Sequence, residues 1–178
     1  MLIRSANPAD VPGILTIYND VIATSTAVYS EVPATLANRR AWHDDRVRVG
    51  YPVLVACEAG DILGFSSYGD FRTQPGYRFS VEHSVHVAQG QRGRGLGAAL
   101  IEALLPLAVA QGKHVMIGGI DAANAASIRL HERLGFERVA LMPQVGYKFG
   151  RWLDLVFMQR RLGPAVGPLS PAPIWERP

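Results

Sequence analysis

With 178 residues, the chain is long enough for one domain with a hydrophobic core, and its 48% hydrophobic and 19% charged residues are typical of a globular protein. The formal net charge of +3 suits a small anionic ligand, but the basic residues are too scattered to indicate nucleic-acid binding. No apolar run is long enough to span a membrane, the N-terminus lacks a signal-peptide core, and the single cysteine, Cys57, cannot form an internal disulfide. We therefore expect a cytoplasmic protein that binds neither a membrane nor nucleic acid.

The spacing of apolar residues predicts seven strands and four helices. The strands are expected at 2–5, 53–58, 62–68, 81–87, 114–120, 136–142 and 153–161, and the helices at 8–23, 36–49, 96–111 and 124–134. Turn and cap signals separate these elements: Asn7, Thr35, Ala59-Gly60-Asp61 and Gly135. The order β-α-α-β-β-β-α-β-α-β-β predicts an α/β protein with a mixed sheet and helices on both faces.

Helical spacing also predicts which residues are buried, and composition predicts where the domain ends. Two helices are expected to bury Val11, Ile14, Leu15, Tyr18, Val21 and Ile22, and Leu96, Leu100, Ala103, Leu104 and Leu107. Residues 1–162 are expected to form the domain. The proline-rich residues 163–178 are expected to be an extended or disordered tail.

A loop rich in glycine and arginine lies between the strand at 81–87 and the helix that follows. Its glycines free several backbone N–H groups to face one ligand at a helix N-terminus, where negative charge is favoured: Gly90, Gly93, Gly95 and Gly97. Arg92 and Arg94 add guanidinium groups that match phosphate oxygens. The loop therefore predicts a phosphate-binding site.

Three phosphate-binding motifs have this general shape. A nucleotide triphosphatase loop is excluded because Gly97 is followed by Ala98 and not by lysine. A dinucleotide fingerprint fits Gly93, Gly95 and Ala98, but it should open a run of βαβ units that the chain lacks. The third motif, R-x-x-G-x-G, is met by Arg92, Gly95 and Gly97, directly after a strand. A plain glycine-rich turn with solvated arginines is the remaining alternative.

This R-x-x-G-x-G loop resembles the acyl-CoA loop of the GNAT N-acetyltransferases, and residues 124–136 resemble the family's second coenzyme segment. The resemblance covers residues 2–161 and extends to the branch that contains phosphinothricin and methionine sulfoximine acetyltransferases. Six segments carry the likeness to this branch: 17–19, 50–52, 68–70, 81–85, 142–146 and 148–154. The resemblance implies the GNAT fold, acetyl-CoA as co-substrate, no metal, and a homodimer, with segment 148–154 at an interface or a pocket wall.

The resemblance implies that backbone groups hold most of the acetyl-CoA. N–H groups of Val85, His86 and Val87, at a splayed strand edge, are expected to bind the pantetheine and the oxyanion of the reaction. Asn124 is expected to pair with the pantetheine and can equally act as a helix N-cap. The other implied contacts are Arg92, Gly93, Arg94, Gly95, Leu96, Gly97, Ala98, Ser127 and Arg133.

Glu82 is our first candidate for the general base that deprotonates the substrate ammonium. A carboxyl that is partly buried among apolar strand residues has a raised pKa, which makes it basic enough for this role. Strand alternation places Glu82 on one face with Ser84 and His86, opposite His83. The alternative is a structural glutamate satisfied by a neighbouring arginine. The phosphinothricin enzymes carry a glutamate at this place, which favours the catalytic interpretation.

The loop before this strand is expected to bind the substrate. Arg72 can hold an amino-acid carboxylate in bidentate fashion, and Arg78 is an alternative. Tyr29 and Phe71 are expected to wall an apolar slot, although we expect tryptophan at both places in the nearest relatives. The full set expected to contact the substrate is Tyr29, Phe71, Arg72, Thr73, Gln74, Glu82, His83 and Ser84.

Two histidines and the cysteine keep open roles. His131 stands where many family members carry a tyrosine that protonates the leaving thiolate, and a packed histidine is the alternative. For His83, substrate contact and core packing are equal alternatives. Cys57 lies in an apolar strand without a basic neighbour, which favours a structural thiol over an acetylated intermediate.

We therefore predict an N-acetyltransferase that transfers acetyl from acetyl-CoA to the α-amino group of a small amino acid by direct attack on the thioester. L-Methionine sulfoximine, L-methionine sulfone and L-phosphinothricin are the candidates that the resemblance implies. One alternative is an acetyltransferase for a protein N-terminus or a polyamine, and the basic loop at Arg72 argues against the polyamine. The other is a non-catalytic CoA-binding sensor, which has no need of Glu82.

Overall fold

The computed structural model describes residues 1–163 and confirms the predicted order of elements. The strands are β1 Leu2–Ser5, β2 Val53–Glu58, β3 Asp61–Asp70, β4 Ser80–Val87, β5 Val115–Asp121, β6 Glu137–Lys148 and β7 Arg151–Arg161. The helices are α1 Val11–Thr24, α2 Leu36–Arg48, α3 Leu96–Ala110 and α4 Ala125–Arg133. The predicted tail lies outside the described residues apart from Gly163.

Helix caps are formed as the sequence predicts. Asn7 caps the short 3₁₀ turn that leads into α1, and its side chain accepts a hydrogen bond from the N–H of Ala9. Thr35 accepts one from the N–H of Asn38 at the start of α2. Gly50 and Gly135, at φ +80° and +77°, follow the ends of α2 and α4 in the left-handed conformation that glycine tolerates.

All seven strands form one sheet in the order β1-β2-β3-β4-β5-β7-β6. Every neighbouring pair is antiparallel except β4 and β5, which run parallel and pair only over Ser80–Glu82 and Val115–Ile117. β4 continues to Val87 while it stays paired with β3. The two central strands therefore diverge beyond Glu82, and within residues 1–163 the β5 side of β4 has no strand partner there.

Two hydrophobic clusters cover the two faces of the sheet. The larger one joins α3 and α4 to the sheet through residues such as Leu100, Leu104, Met116 and Phe136. The smaller one joins α1 to the sheet through Ile14, Ile17, Val53, Val55 and Phe65. This confirms the prediction of helices on both faces. No helix within residues 1–163 is long and apolar enough to cross a membrane.

Some of the residues predicted to be buried in α1 and α3 are more exposed than expected, and neighbouring residues are buried instead. In α1, Ile17 is buried, whereas Leu15 and Tyr18 are half-buried. In α3, Leu107 is 38% exposed, and Ile101 and Ala108 are buried in its place. Both helices are apolar on more than one side, so spacing alone does not fix which side faces the sheet.

The predicted loop at 143–152 is also wrong, because most of it belongs to β6 and β7. The register of β6 against β7 shifts between Met142 and Gly146, where Gln144 adopts φ +52° and its N–H donates to a carboxylate oxygen of Asp154. This is a bulge on an edge strand, the one place where a strand accommodates the proline of this segment. A two-residue turn at 149–150, with both φ values positive, then joins the strands.

Candidate active site

Two cavities meet where β4 and β5 diverge. The larger one, about 560 Å³, runs from the divergent strands to the glycine-rich loop before α3, and we call it the glycine-loop groove. The other, about 350 Å³, lies between the sheet and helices α1 and α2, and we call it the inner cavity. Ala27, Val85, His86, Asn124 and Ser127 line both cavities. A ligand in the groove can therefore reach into the inner cavity.

The glycine-rich loop has the backbone geometry of an anion site. Gly93 and Gly95 adopt φ +79° and +80°, in the left-handed region, and Gly95 is the N-cap of α3. A side chain at either position is strained by this backbone, whatever the space around it. The N–H groups of the first turn of α3 have no partner within the helix and open onto the groove, so they favour a phosphate there.

The groove contains almost every residue that the sequence assigns to acetyl-CoA. Its lining includes Val85, His86, Val87, Arg92, Gly93, Gly95, Leu96, Gly97, Ala98, Asn124, Ser127 and Arg133. Arg94 is the exception: its guanidinium donates to Gln91 and to a carboxylate oxygen of Glu58 at 3.2 Å. Asn124 is an N-cap as well as a lining residue, since its side-chain oxygen accepts from the N–H of Ser127 at 3.1 Å.

Glu82 lies in the inner cavity, at the last position where β4 pairs with β5. Its side chain passes over Gly119, where an added Cβ would stand only 3.0 Å from Oε1. Within residues 1–163 no cation lies in ion-pair distance of Glu82. Burial raises the pKa of Glu82 above its ordinary value, and the nearby charge of Arg72 opposes this only in part. A carboxylate in this state is a competent proton acceptor.

On the opposite face of β4, His83 is buried against His131. The two Nε2 atoms are 3.2 Å apart, and Nδ1 of His131 lies 2.7 Å from the carbonyl oxygen of Ser127. That carbonyl fixes the proton on Nδ1 of a neutral His131, so its Nε2 accepts a hydrogen bond from the Nε2–H of His83. Burial lowers the pKa of both rings, that of His83 to about 3. The pair is therefore neutral at physiological pH, and His131 has no proton on Nε2 to donate.

Three of the residues expected to bind the substrate, Tyr29, Phe71 and Arg72, line neither cavity. Phe71 packs edge-on against Tyr77 and Phe157 at ring distances of 5.9 and 6.0 Å, and the Arg72 guanidinium lies 5.2 Å from the Phe71 ring. The Tyr29 ring occupies the space beside Gly146 where a side chain would stand.

The structure brings only part of the predicted substrate set into the inner cavity. Thr73 and Gln74 are exposed and, like Tyr29, Phe71 and Arg72, line neither cavity, whereas His83 and Ser84 line the inner cavity together with Glu82. Arg78 donates to the carbonyl of Pro75 and lies over the Phe79 ring. Of the two arginines, Arg72 is the one whose charge acts on the pKa of Glu82, which favours Arg72 over Arg78 as the cation near this carboxyl.

Sequence reasoning missed the residues that α1 and α2 contribute to the inner cavity. Arg39 is 8% exposed, with its guanidinium carbon 4.0 Å from the centre of the Tyr18 ring and 4.6 Å from that of Trp42. Burial lowers the pKa of Arg39, and one of its terminal nitrogens donates to the side chain of Asn38. The arginine and tryptophan three residues apart on a predicted helix were a signal for this stack.

The fold and the groove define an acyltransferase that uses coenzyme A, and the comparisons give its family. Residues 14–136 match the model of the acetyltransferase (GNAT) family, so the chain belongs to that family.

Close relatives agree over nearly the whole chain. It is 59% identical to the L-methionine sulfoximine/L-methionine sulfone acetyltransferase of Pseudomonas aeruginosa, over 91% of this chain and 95% of the relative. It is 35% identical to a phosphinothricin N-acetyltransferase of Alcaligenes faecalis, over 90% and 82%. The structure of yncA from Salmonella typhimurium, solved with its cofactor acetyl-CoA, superposes with a TM-score of 0.92 at 48% identity, over 96% and 98% of the two chains.

Within the described part of the chain, no group of three or more histidine, cysteine, aspartate and glutamate side chains could hold a metal ion. Cys57 lies on β2, where its thiol donates to the carbonyl of Leu2 at 3.6 Å, and it lines neither cavity.

Proposed function

We propose that this enzyme transfers acetyl from acetyl-CoA to the α-amino group of a small amino acid, with L-methionine sulfoximine, L-methionine sulfone and L-phosphinothricin as candidate substrates. The observation that carries the proposal is the position of Glu82, partly buried and without an ion-pair partner among residues 1–163, in the cavity that continues the groove. The substrates named for the Pseudomonas aeruginosa and Alcaligenes faecalis relatives support the choice of amino acid.

Each part of the site has a separate task in the proposed reaction. The loop at 93–98 holds the pyrophosphate, and the divergent edge of β4 orients the thioester. Glu82, directly or through water, takes a proton from the substrate ammonium, and the free amine attacks the thioester carbonyl. Backbone N–H groups of β4 beyond Glu82 stabilise the resulting oxyanion. The nitrogen of the adduct loses its second proton to solvent, collapse breaks the C–S bond, and solvent protonates the thiolate because His131 carries no proton on Nε2.

Arg72 supplies the preference for an amino acid in this proposal. Its guanidinium is near enough to affect the pKa of Glu82, and a substrate carboxylate lies only two bonds from the nitrogen that reacts. A cation beside the base also disfavours a polyamine, which carries several positive charges. Phe71 and Tyr29 wall the slot for the apolar part of the side chain.

The proposal is tested by thiol release from acetyl-CoA with a panel of acceptors: methionine sulfoximine, methionine sulfone, phosphinothricin, the common amino acids and spermidine. We expect saturable turnover with one or more of the first three and none with spermidine. Tight acetyl-CoA binding without turnover on any acceptor would contradict the proposal and favour the CoA-binding sensor.

We also propose a homodimer formed through β6 and β7. Large apolar side chains are exposed together on these two strands and their turn: Val139, Leu141, Met142, Val145, Tyr147, Phe149 and Trp152. A concentration of exposed apolar side chains on neighbouring strands is typical of an interface. Sedimentation should give a dimer for the wild type and a monomer for Trp152→Glu. A wild-type monomer would contradict the proposal.

A cytoplasmic location completes the proposal. Acetyl-CoA is a metabolite of the cell interior, and a chain whose single cysteine is Cys57 does not rely on an internal disulfide. Cell fractionation with a tagged chain should recover the acetyltransferase activity in the cytoplasmic fraction.

A further inference from the structure

Lys148, the last residue of β6, is completely buried, with 0% of its surface exposed. Its ammonium donates to three backbone carbonyls: Ile22 at 2.7 Å, Ser25 at 2.6 Å and Val28 at 2.8 Å. An ammonium has three N–H donors, so its hydrogen-bonding capacity is filled by this one segment of chain. A buried cation is retained only where such bonds replace its hydration.

The three carbonyls belong to the end of α1 and to the loop after it. Ile22 is in the last turn of the helix, where carbonyls lack a partner within the helix and where a cation is favoured. Ser25 and Val28 lie in the α1–α2 loop, residues 25–35, which has no regular secondary structure. The shape of such a loop depends on the side chains that hold it.

This loop forms part of the wall of both cavities. Ala27 and Val28 line the inner cavity together with Glu82, and Ser25 and Ala27 line the groove. The carbonyls of Ser25 and Val28 flank Ala27 in sequence, so Lys148 holds the loop on both sides of the lining residues. The position of the α1–α2 loop therefore affects where a substrate can bind next to Glu82.

Neighbouring residues of β5 to β7 hold the same loop at further points. Thr26 donates to a carboxylate oxygen of Asp121. The N–H of Phe149 donates to the side chain of Glu31 at 2.7 Å. Lys148 is thus one of several contacts that join the end of β5, the end of β6 and the β6–β7 turn to the α1–α2 loop.

We infer that Lys148 is a positioning residue for the amino-acid side of the reaction, acting by holding the α1–α2 loop against the inner cavity. This inference rests on the proposed amino-acid substrate for its kinetic test. Lys148 touches no reacting atom, and its effect passes through the loop. The pyrophosphate site is formed by a different segment, so loss of Lys148 should affect the amino acid more than acetyl-CoA.

The chain offers a matched control, because its two lysines are Lys113 and Lys148. Lys113 also donates to a backbone carbonyl, that of Arg78 at 2.8 Å, and to the hydroxyl of Tyr51. It lines neither cavity. Lys148→Met and Lys113→Met therefore remove the same charge at different places, with the loss of three carbonyl contacts at Lys148 and of one carbonyl and one hydroxyl contact at Lys113.

The first measurement is hydrogen exchange of residues 25–35, which needs no turnover. We expect exchange in this loop to be at least about tenfold faster in Lys148→Met than in the wild type and unchanged in Lys113→Met. Unchanged exchange in Lys148→Met would overturn the inference, whether or not the wild type acetylates an amino acid.

The second measurement separates a positioning role from a merely structural one. With the wild type active on methionine sulfoximine, we expect Lys148→Met to lower kcat/KM for the amino acid about 30-fold while KM for acetyl-CoA changes less than about threefold. Lys113→Met should keep the wild-type constants. A Lys148→Met enzyme with a lower Tm and wild-type constants would show a structural lysine only. If Lys148→Met fails to fold, the same measurements are made on Lys148→Arg, which keeps the positive charge and changes the geometry of its hydrogen bonds.

Discussion

The groove and the inner cavity differ in how the chain builds them. The groove takes its phosphate-binding part from one continuous segment, from β4 through the glycine-rich loop into α3. The inner cavity takes its lining from α1, the α1–α2 loop, α2, β3, β4, β5 and α4, which are far apart in sequence. The groove, which we assign to acetyl-CoA, depends mainly on backbone conformation. The inner cavity, which we assign to the amino acid, depends on packing between distant segments. Mutations in the two halves should therefore have separable kinetic effects.

The largest effect is expected at the base. Glu82→Gln keeps the size of the side chain and removes the proton acceptor, so kcat should fall by about 10²- to 10³-fold. KM for acetyl-CoA should change little, since Glu82 lines only the inner cavity. Steady-state thiol release at saturating acetyl-CoA measures the change, with Glu102→Gln on α3 as the control for lost charge. Full turnover by Glu82→Gln would remove Glu82 from the mechanism.

Alanine substitutions at Gly118 and Gly119, adjacent residues of β5, should have different effects, one on stability and the other on catalysis. A Cβ at Gly119 would meet Oε1 of Glu82 at 3.0 Å, so Gly119→Ala should shift the carboxyl and lower kcat about tenfold. A Cβ at Gly118 would meet Nε2 of His83 at 3.0 Å and of His131 at 3.2 Å, so Gly118→Ala should destabilise the fold by about 1–2 kcal/mol. Kinetics and thermal unfolding of both variants test this, and equal effects of the two on kcat would contradict it.

Arg72 provides a test confined to the substrate side. Arg72→Ala should raise KM for the amino acid about tenfold or more, because a charge-assisted contact with the carboxylate is lost, and leave KM for acetyl-CoA unchanged. Arg78→Ala is the matched control, since its guanidinium binds Pro75 and Phe79. The reverse pattern, with Arg78 controlling the amino acid, would move the carboxylate site to the other arginine.

The smallest difference is expected between the two arginines of the glycine-rich loop. Arg92 lines the groove, so Arg92→Ala should raise KM for acetyl-CoA about fivefold. Arg94 is held by Glu58 in an exposed ion pair, so Arg94→Ala should change that KM less than about twofold. Titration with CoA gives the same comparison at equilibrium, and a larger loss from Arg94→Ala would reverse the assignment.

Local sequence patterns were sufficient for the order of elements and for the backbone of the glycine-rich loop, whereas the other residues of the groove were named from the family resemblance. Caps such as Asn7, Thr35 and Asn124 act over two or three residues, and the positive φ of Gly93 and Gly95 is visible as glycine spacing. Arg94 shows the limit of this reasoning. The motif places it in the loop, but the direction of its side chain depends on Glu58, 36 positions earlier in the chain.

The substrate half could be predicted only in part, because it depends on contacts between distant segments. Glu82 could be predicted from its position in the strand and from the resemblance. The stack of Arg39 with Tyr18 and Trp42 requires knowing how α1 and α2 face each other, which their spacing does not reveal. Lys148 was expected in the loop at 143–152, in a segment given to an interface or a pocket wall, and only the fold places its ammonium against the carbonyls at the end of α1. The bulge that lengthens β6 was missed because a proline within it suggests a loop.

The most direct test of the account is the pH dependence of kcat/KM for methionine sulfoximine in the wild type and in Glu82→Gln. Glu82 must be ionised to accept the proton, and burial raises its pKa above the ordinary value of 4.5, so wild-type activity should fall as the pH is lowered through a pKa above 4.5. In Glu82→Gln the remaining activity should lose this acidic limb. The same limb in both enzymes would show that another group accepts the proton and would contradict the central role given to Glu82.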